Sequence, residues 1–432
     1  MRFLFLLKEW IKYPKMRGKL SSTLDKFSQE DLQKIVSEKR DALLHHAVAT
    51  VPFYQRLVAE GRLDPKNLRI EDFPILEKKD IRGREELFIS NRYNVNKLST
   101  SRTSGSTGEP FKFYRDDAEF DATYIDLWRG LARAGIRHGD KRVLVKGVDE
   151  NPNPSLVTRL QRWAYGVINQ CIVIDAHFLA KSEENITISL HRIRKYRPVY
   201  LHGYVSSIDL LAAHAERVGL EMKEVGIKVV VTESEKLYDF QRERIARVFG
   251  CNVVENYGSV EFGMIAQPDA EGNLCINETH CYVETDADGA AVYTNLDAYA
   301  FPFIRFKNGD VITLRKEKKS TLPYREIEYV DGRVADTIQL PNGSSLQGFI
   351  VMYPISKHMQ YIAAYQVRQE KRDELQILLV LKERLPKTIQ NQILSEMQEI
   401  VGQDVKICIK TVGKIPLTKR GKRRFIYSNL KD

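Results

Sequence analysis

The chain has 432 residues, 43% of them hydrophobic and 29% charged, which is the make-up of a globular protein with room for two or three domains. No apolar run approaches the eighteen or so residues of a membrane span, and five scattered cysteines without a C-x-x-C pair give no disulfide framework, so a cytoplasmic setting is expected. A formal net charge of +10 calls for anionic partners, and nucleotides or coenzymes with several phosphates fit that as well as nucleic acid does.

The first residues, Met1 to Lys8, carry a basic residue and an apolar run in the manner of a signal peptide. Lys8 and Glu9 break the run before any small-residue cleavage site. The expectation is a short amphipathic helix that docks on the body; a weak peripheral membrane contact through Phe3, Leu6 and Trp10 is the other use of that face. Ser28-Gln29-Glu30-Asp31 reads as a helix start, with Leu32, Ile35, Val36, Leu43 and Leu44 on one face. Pro52 and Pro65 then mark irregular connections.

Two short strand-like segments, 97–100 and 111–114, flank Ser101-Arg102-Thr103-Ser104-Gly105-Ser106-Thr107-Gly108-Glu109-Pro110, which places this stretch at the tip of a hairpin. Gly105 and Gly108 let the backbone turn and aim amides into one concavity, where Thr103, Ser104, Ser106 and Thr107 add hydroxyls, a set suited to a phosphate chain. The stretch is not a Walker loop, because no Gly-Lys-Ser/Thr closes it. On composition alone, a flexible surface turn is an equal alternative.

From about residue 116 helical patterns alternate with short apolar runs at 143–145, 171–174, 199–201, 229–231 and 253–254. That is the mark of a largely parallel sheet covered on both faces, and ligands bind at the carboxyl ends of such strands. The residues that follow the strands are therefore candidates: His202 and Tyr204, Thr232 and Glu233, and Asn256, Tyr257 and Gly258. Beyond Cys275 the pattern becomes antiparallel through about Tyr329. Asp331-Gly332-Arg333 reads as a turn after which a small α+β unit begins. Two domains are expected, residues 1–332 and residues 333–432.

Three later motifs carry chemistry as well as a plainer reading. In Tyr257-Gly258-Ser259-Val260-Glu261 an aromatic ring can stack on a purine, and Glu261 can ligate a magnesium ion held by a triphosphate. Alone it reads first as an edge tyrosine with an exposed carboxylate. Asn308-Gly309 is by default a hairpin turn, whereas the functional reading has Asp310 accept from both hydroxyls of a ribose. The segment 414–424 is a solvated basic tail by default. Its functional reading is a loop that inserts Lys422 into an active site.

Taken together and in this order, the motifs resemble the adenylate-forming enzymes, and within them the phenylacetate–CoA ligase and CapK-like branch. The segment 103–110 resembles that family's phosphate loop and 257–261 its aromatic-Gly-x-x-Glu motif. Residues 302–310 resemble its ribose-binding strand, 332–336 its hinge and 416–422 its catalytic-lysine loop. The resemblance implies an α/β large domain with an antiparallel part, a small mobile C-terminal domain, and ATP-dependent activation of a carboxylic acid with release of pyrophosphate. It implies that Thr103, Ser104, Gly105, Ser106, Thr107 and Gly108 hold phosphates and that Glu233, Asn256, Tyr257, Gly258 and Ser259 surround the nucleotide. Asp310 and Arg333 would bind ribose, Glu261 would ligate magnesium, and Lys422 would bridge the carboxylate and the α phosphate. His202, Tyr204 and Thr232 stand where the acid could bind. The acceptor is CoA, or an amine or hydroxyl as in polysaccharide biosynthesis.

The sequence departs from the pattern in three places. Val260 stands where the motif often has threonine, and Ala335 where the hinge often has Asp or Lys. The zinc-binding cysteines of many phenylacetate-type members are not matched by Cys275, His280 and Cys281, so zinc is not expected. A non-catalytic nucleotide- or nucleic-acid-binding protein on the same fold is the alternative; the retained Glu261, Asp310 and Lys422 argue against it, since a binding relic has little use for all three, and nucleic acid is not an expected partner.

Overall fold

Ser28 caps the first long helix as its neighbours predict. Its hydroxyl accepts from the Asp31 amide at 3.1 Å, and the Asp31 carboxylate accepts from the Ser28 amide at 3.1 Å. This helix, α1 (Gln29–Thr50), buries Leu32, Val36, Leu43 and Leu44 on one face, and α2 (Pro52–Ala59) follows with proline in its first turn. The computed structural model describes residues 5–6, 8–9, 28–102, 112–147, 156–179, 181–286, 289–333, 337–342, 345–347, 351–352, 354–355, 357–416 and 424–430. Near the N-terminus Phe5 is buried among Trp128, Leu131 and Ile136, so this part of the chain docks on the body.

β1 (Ser99–Arg102) and β2 (Lys112–Arg115) pair antiparallel, with Arg102 opposite Lys112. They form the expected hairpin, whose phosphate-loop tip, 103–111, lies outside the described residues. After α3 (Asp117–Arg133) come β3 (Arg142–Lys146), α4 (Leu156–Ile168), β4 (Cys171–Asp175), α5 (Glu183–Tyr196) and β5 (Tyr200–Tyr204). Then follow α6 (Val205–Arg217), β6 (Val229–Glu233), α7 (Asp239–Phe249) and β7 (Asn252–Ser259). The five strands are parallel in the order β4-β3-β5-β6-β7. Their apolar runs are continuous because helices cover both faces. Val143, Val145, Leu201 and Val230 meet Leu190, Ile208 and Ile245 on one side, while Tyr200, Val231 and Val254 meet Trp128 and Leu131 on the other.

The expected antiparallel part continues the same sheet. β7 pairs antiparallel with β8 (Gly263–Pro268), and the sheet continues through β9 (Leu274–Ile276). β10 (Cys281–Thr285), β11 (Ala290–Asn295), β12 (Phe306–Leu314) and β13 (Glu326–Arg333) complete an 11-stranded sheet, ordered β10-β11-β12-β13-β9-β8-β7-β6-β5-β3-β4. Gly258 is required where the direction changes, because a Cβ there would stand 2.2 Å from the Gly263 carbonyl oxygen.

Two turn readings are corrected. Asn308-Gly309 lies inside β12, where Gly309 takes φ +90° and the pairing with β11 shifts register between Val292–Lys307 and Ala290–Val311. A bulge uses the same positive-φ glycine as a hairpin turn, and so gives the same sequence signal. Asp331-Gly332-Arg333 is likewise the end of strand β13, with Arg333 opposite Asp310.

Beyond β14 (Thr337–Gln339) and β15 (Ser345–Gln347), a second core is built from β16 (Ile362–Lys371), β17 (Glu374–Leu381), α8 (Lys387–Val401), β18 (Lys406–Thr411) and β19 (Ile426–Ser428). Its sheet runs β18-β17-β16-β19 and packs Tyr365, Val367, Ile377 and Leu379 on Ile393 and Met397 of α8.

Candidate active site

Three parallel strands end side by side. In register, Gly203 lies opposite Thr232, Tyr204 opposite Glu233, and Glu233 opposite Asn256, so the chosen strand-end residues form one row. His202 Nε2 is 2.9 Å from the Glu233 carboxylate, and a ring N–H donating there fixes both side chains. Thr232 is fully buried and donates its hydroxyl to the Val254 carbonyl at 3.2 Å, so in this arrangement it serves the sheet. Tyr204 precedes the first turn of α6. The buried Asn256 amide nitrogen and the Ser259 hydroxyl have no hydrogen-bond partner among the described residues, and buried polar groups left this way await a ligand or water.

Next along β7, the Tyr257 hydroxyl lies 2.7 Å from Asp310 Oδ2 and 2.6 Å from the Tyr293 hydroxyl. A phenol has one proton, so Tyr257 donates it to the carboxylate and accepts from Tyr293. Burial, then the Asp310 charge, raises the Tyr257 pKa well above that of an ordinary phenol. Asp310 also accepts from the Asn308 side-chain nitrogen at 2.7 Å, a contact that the bulge at Gly309 makes geometrically available. The aromatic motif and the aspartate strand therefore converge, as the sequence implies. The convergence is through the tyrosine hydroxyl, with the ring packed in the core. The Arg333 backbone faces Asp310 across β12 and β13.

Glu261 leaves the end of this hairpin and is only 3% exposed. Its Oε1 forms an ion pair with Lys78 Nζ at 2.9 Å. The backbone beneath it is held from two sides. Arg115 Nη2 donates to the Val260 carbonyl at 2.7 Å and to the Glu261 carbonyl at 2.9 Å, and His280 Nε2 lies 2.7 Å from the Phe262 carbonyl. Arg115 pairs with the buried Glu119 at 2.9 Å, and His280 Nδ1 pairs with Asp297 at 2.7 Å. Burial is the largest cause that pushes the Glu119 pKa up, to about 7, with Arg115 opposing it. The His280 pKa is raised, because Asp297 and Asp126 outweigh the effect of burial.

Sequence reading missed Lys78, Arg115, Tyr293 and His280 as parts of this site. No motif marks Lys78, which stands in the charged run Glu77-Lys78-Lys79-Asp80, and it meets Glu261 only through the fold. His280 was weighed only as a zinc ligand, but both its ring nitrogens have protein partners. The phosphate loop 103–108, the hinge residues 334–336 and Lys422 lie outside the described residues. A single carboxylate such as Glu261 can hold magnesium, a hard cation, only together with phosphate oxygens and water.

This architecture is the fold of adenylate-forming acyl ligases. The structure superposes on 2-hydroxyisobutyryl-CoA ligase, solved in its postadenylation state with R3-HIB-AMP, with a TM-score of 0.75 at 17% identity, covering 94% of this chain and 91% of that one. The same ligase in its thioesterification state gives 0.57 at 19% identity, over 94% and 91% of the two chains. Residues 341–429 match the family model of the CapK C-terminal domain. CapK of Staphylococcus aureus is 25% identical over 418 residues, 93% of this chain and 90% of CapK. The phenylacetate-coenzyme A ligase of Thermus thermophilus is 22% identical over 458 residues, 93% and 97% of the two. The chain is thus similar over most of its length to CapK and to the phenylacetate–CoA ligases.

Proposed function

We propose that the protein activates a carboxylic acid with ATP as an acyl-adenylate, releases pyrophosphate, and passes the acyl group to CoA or to an amine or hydroxyl acceptor. The observation that carries this reading is the Tyr257–Asp310 hydrogen bond at the end of β7, next to the unpartnered Asn256 and Ser259 polar atoms. It sets a fixed carboxylate beside unused donors, which suits a nucleoside. In this reading the amides and hydroxyls of 103–108 hold the β and γ phosphates, Asp310 and Arg333 take the ribose, and His202, Tyr204 and Glu233 border the acid. Lys422 bridges the acid and the α phosphate.

Joining a carboxylate to a phosphate brings two anions together, and the barrier falls only where positive charge is fixed in advance. Glu261, oriented by its ion pair with Lys78, would hold magnesium, which would supply positive charge against the triphosphate. The small domain is read as residues 333–432, which bring Lys422 to the site. Likeness to CapK supports a biosynthetic acceptor, such as a sugar amine or hydroxyl in polysaccharide assembly. Likeness to the phenylacetate–CoA ligases supports CoA. The test is acid-dependent ATP–pyrophosphate exchange with pooled aromatic, aliphatic and amino acids, without an acceptor. Exchange should appear with one pool and be lost in Lys422→Ala while ATP binding persists; exchange in Lys422→Ala at the wild-type rate would remove the lysine from the mechanism.

A further inference from the structure

A cleft runs beside the second half of α1. Ala42, His45, His46 and Ala49 fall on one side of this helix, at the i, i+3, i+4 and i+7 spacing of a helical face, next to the buried stripe of Leu43, Leu44 and Ala47. Long charged side chains normally cover the outer side of a surface helix, but the two alanines leave this one open. Arg92, Tyr93 and Tyr299 stand opposite, and the space between is about 680 Å³, the size of a small-molecule site.

The two walls are tied together. The Asn91 amide donates to the Thr50 carbonyl at 2.8 Å, the Ser90 amide to the Ala300 carbonyl at 3.0 Å, and the Ser90 hydroxyl to Thr50 Oγ1 at 2.9 Å. His46 makes edge-on contacts with both tyrosines, its ring centre 5.0 Å from that of Tyr299 and 6.5 Å from that of Tyr93. Its Nε2 is 2.9 Å from the Tyr299 carbonyl, which can only accept, so that nitrogen carries the proton. Burial, with the Arg92 charge acting in the same direction, lowers the His46 pKa and favours the neutral ring. Three aromatic rings are thus held in place before anything binds, which lowers the cost of binding another.

Charge selects the ligand. None of the residues lining the cleft is acidic, and the permanent charge among them is the exposed guanidinium of Arg92, with His45 exposed on the facing helix. A smaller concavity of about 440 Å³ shares Arg92 and Tyr93 but holds Asp116 and Asp117 beside Lys97, so an anion is better placed on the α1 side of Arg92.

We propose that this cleft is a second ligand site, for a small aromatic anion whose ring packs between Tyr93, Tyr299 and the alanines of α1 and whose carboxylate or phosphate pairs with Arg92. None of its lining residues belongs to the row at the ends of β5, β6 and β7, so the site is built from other parts of the chain than the one assigned to ATP and the acid. Ring packing on tyrosine and a forked bond to arginine both contribute, so the ring alone and the anion alone bind less well.

The experiment is isothermal titration calorimetry of the full chain with phenyl phosphate, benzoate, inorganic phosphate and phenol. Phenyl phosphate or benzoate should bind at least about ten-fold more tightly than inorganic phosphate or phenol, and whichever of the two binds identifies the anionic group. Arg92→Glu should weaken that binding at least about ten-fold by reversing the charge, and Ala49→Gln by filling the open side of the helix. Both positions are exposed and glutamine suits a helix, so circular dichroism should not change. Asp310→Asn, on the nucleotide side, should bind the compound as the wild type does. Failure of both aromatic anions to bind overturns the proposal, as does inorganic phosphate or phenol binding just as tightly. So does binding that survives both Arg92→Glu and Ala49→Gln, or that is lost in Asp310→Asn, since the compound would then occupy another site.

Discussion

Tyr257 has one proton to give, and at 2.7 Å from Asp310 it gives it to the carboxylate proposed to bind ribose. Tyr257→Phe removes that bond and leaves Asp310 with the Asn308 amide, so the carboxylate is less firmly aimed. The KM for ATP in the exchange reaction should rise about ten-fold with kcat nearly unchanged, as expected for loss of one hydrogen bond to a charged group. An unchanged KM would detach Asp310 from the nucleotide. Glu119 gives a second prediction at this scale. Its folded pKa, about 7, lies above the ordinary carboxyl value of 4.5, so between these values the unfolded chain loses a proton that the folded chain keeps. Stability from this group must fall as pH rises through that window, by on the order of 3 kcal/mol. His280 acts in the same sense, because its raised pKa gives stability that is lost as pH rises past the folded value. Urea midpoints measured from pH 4.5 to 8 should show this decline, and Glu119→Gln should flatten it. A slope unchanged in Glu119→Gln would mean that Arg115 keeps Glu119 ionised throughout. Tyr257, Glu261 and Asp310 were legible in the sequence because each sits in a contiguous motif. Lys78 and Arg115 were not, since each reaches Glu261 only after distant elements pack together.

Among elements, the hairpin of β7 and β8 does most to shape the site, since it turns a parallel sheet into an antiparallel one and carries both Tyr257 and Glu261. Gly258 permits it. A methyl group there would lie 2.2 Å from a backbone oxygen, which cannot move without unzipping the pair, so Gly258→Ala should cost about 3 kcal/mol or more. Denaturant unfolding checks the cost; one below about 0.5 kcal/mol would mean that the strands separate there easily. The parallel strands were legible because burial on both faces leaves a continuous apolar run, and the phosphate-loop hairpin because turn residues separate two strand-like segments. The bulge in β12 and the end of β13 were misread as turns. Glycine at positive φ ends a strand in one context and bends it in another, and only the partner strand decides between them.

For the whole molecule, the question is what sets the small C-terminal core against the large sheet. The seam is aromatic. Tyr238, just before α7, stacks on Phe240 at 6.0 Å, meets Phe425 edge-on at 5.7 Å, and donates its hydroxyl to Met352 Sδ at 3.6 Å. Both Tyr238 and Phe240 pack against the C-terminal core. Phe425 follows Lys422 by three residues, so the seam lies close in sequence to the loop assigned to acid activation. In the proposed reaction this seam belongs to the arrangement that activates the acid. On the reading proposed above, Tyr238→Ala loosens that arrangement alone and shifts the population away from it. Acid-dependent exchange should fall about ten-fold. Transfer from a supplied acyl-adenylate to the acceptor should change less than about two-fold, because that step does not use this seam. Equal losses in both half-reactions would mean that Tyr238 supports folding and not a particular arrangement. Full activity in both would show that other contacts hold the two cores in place.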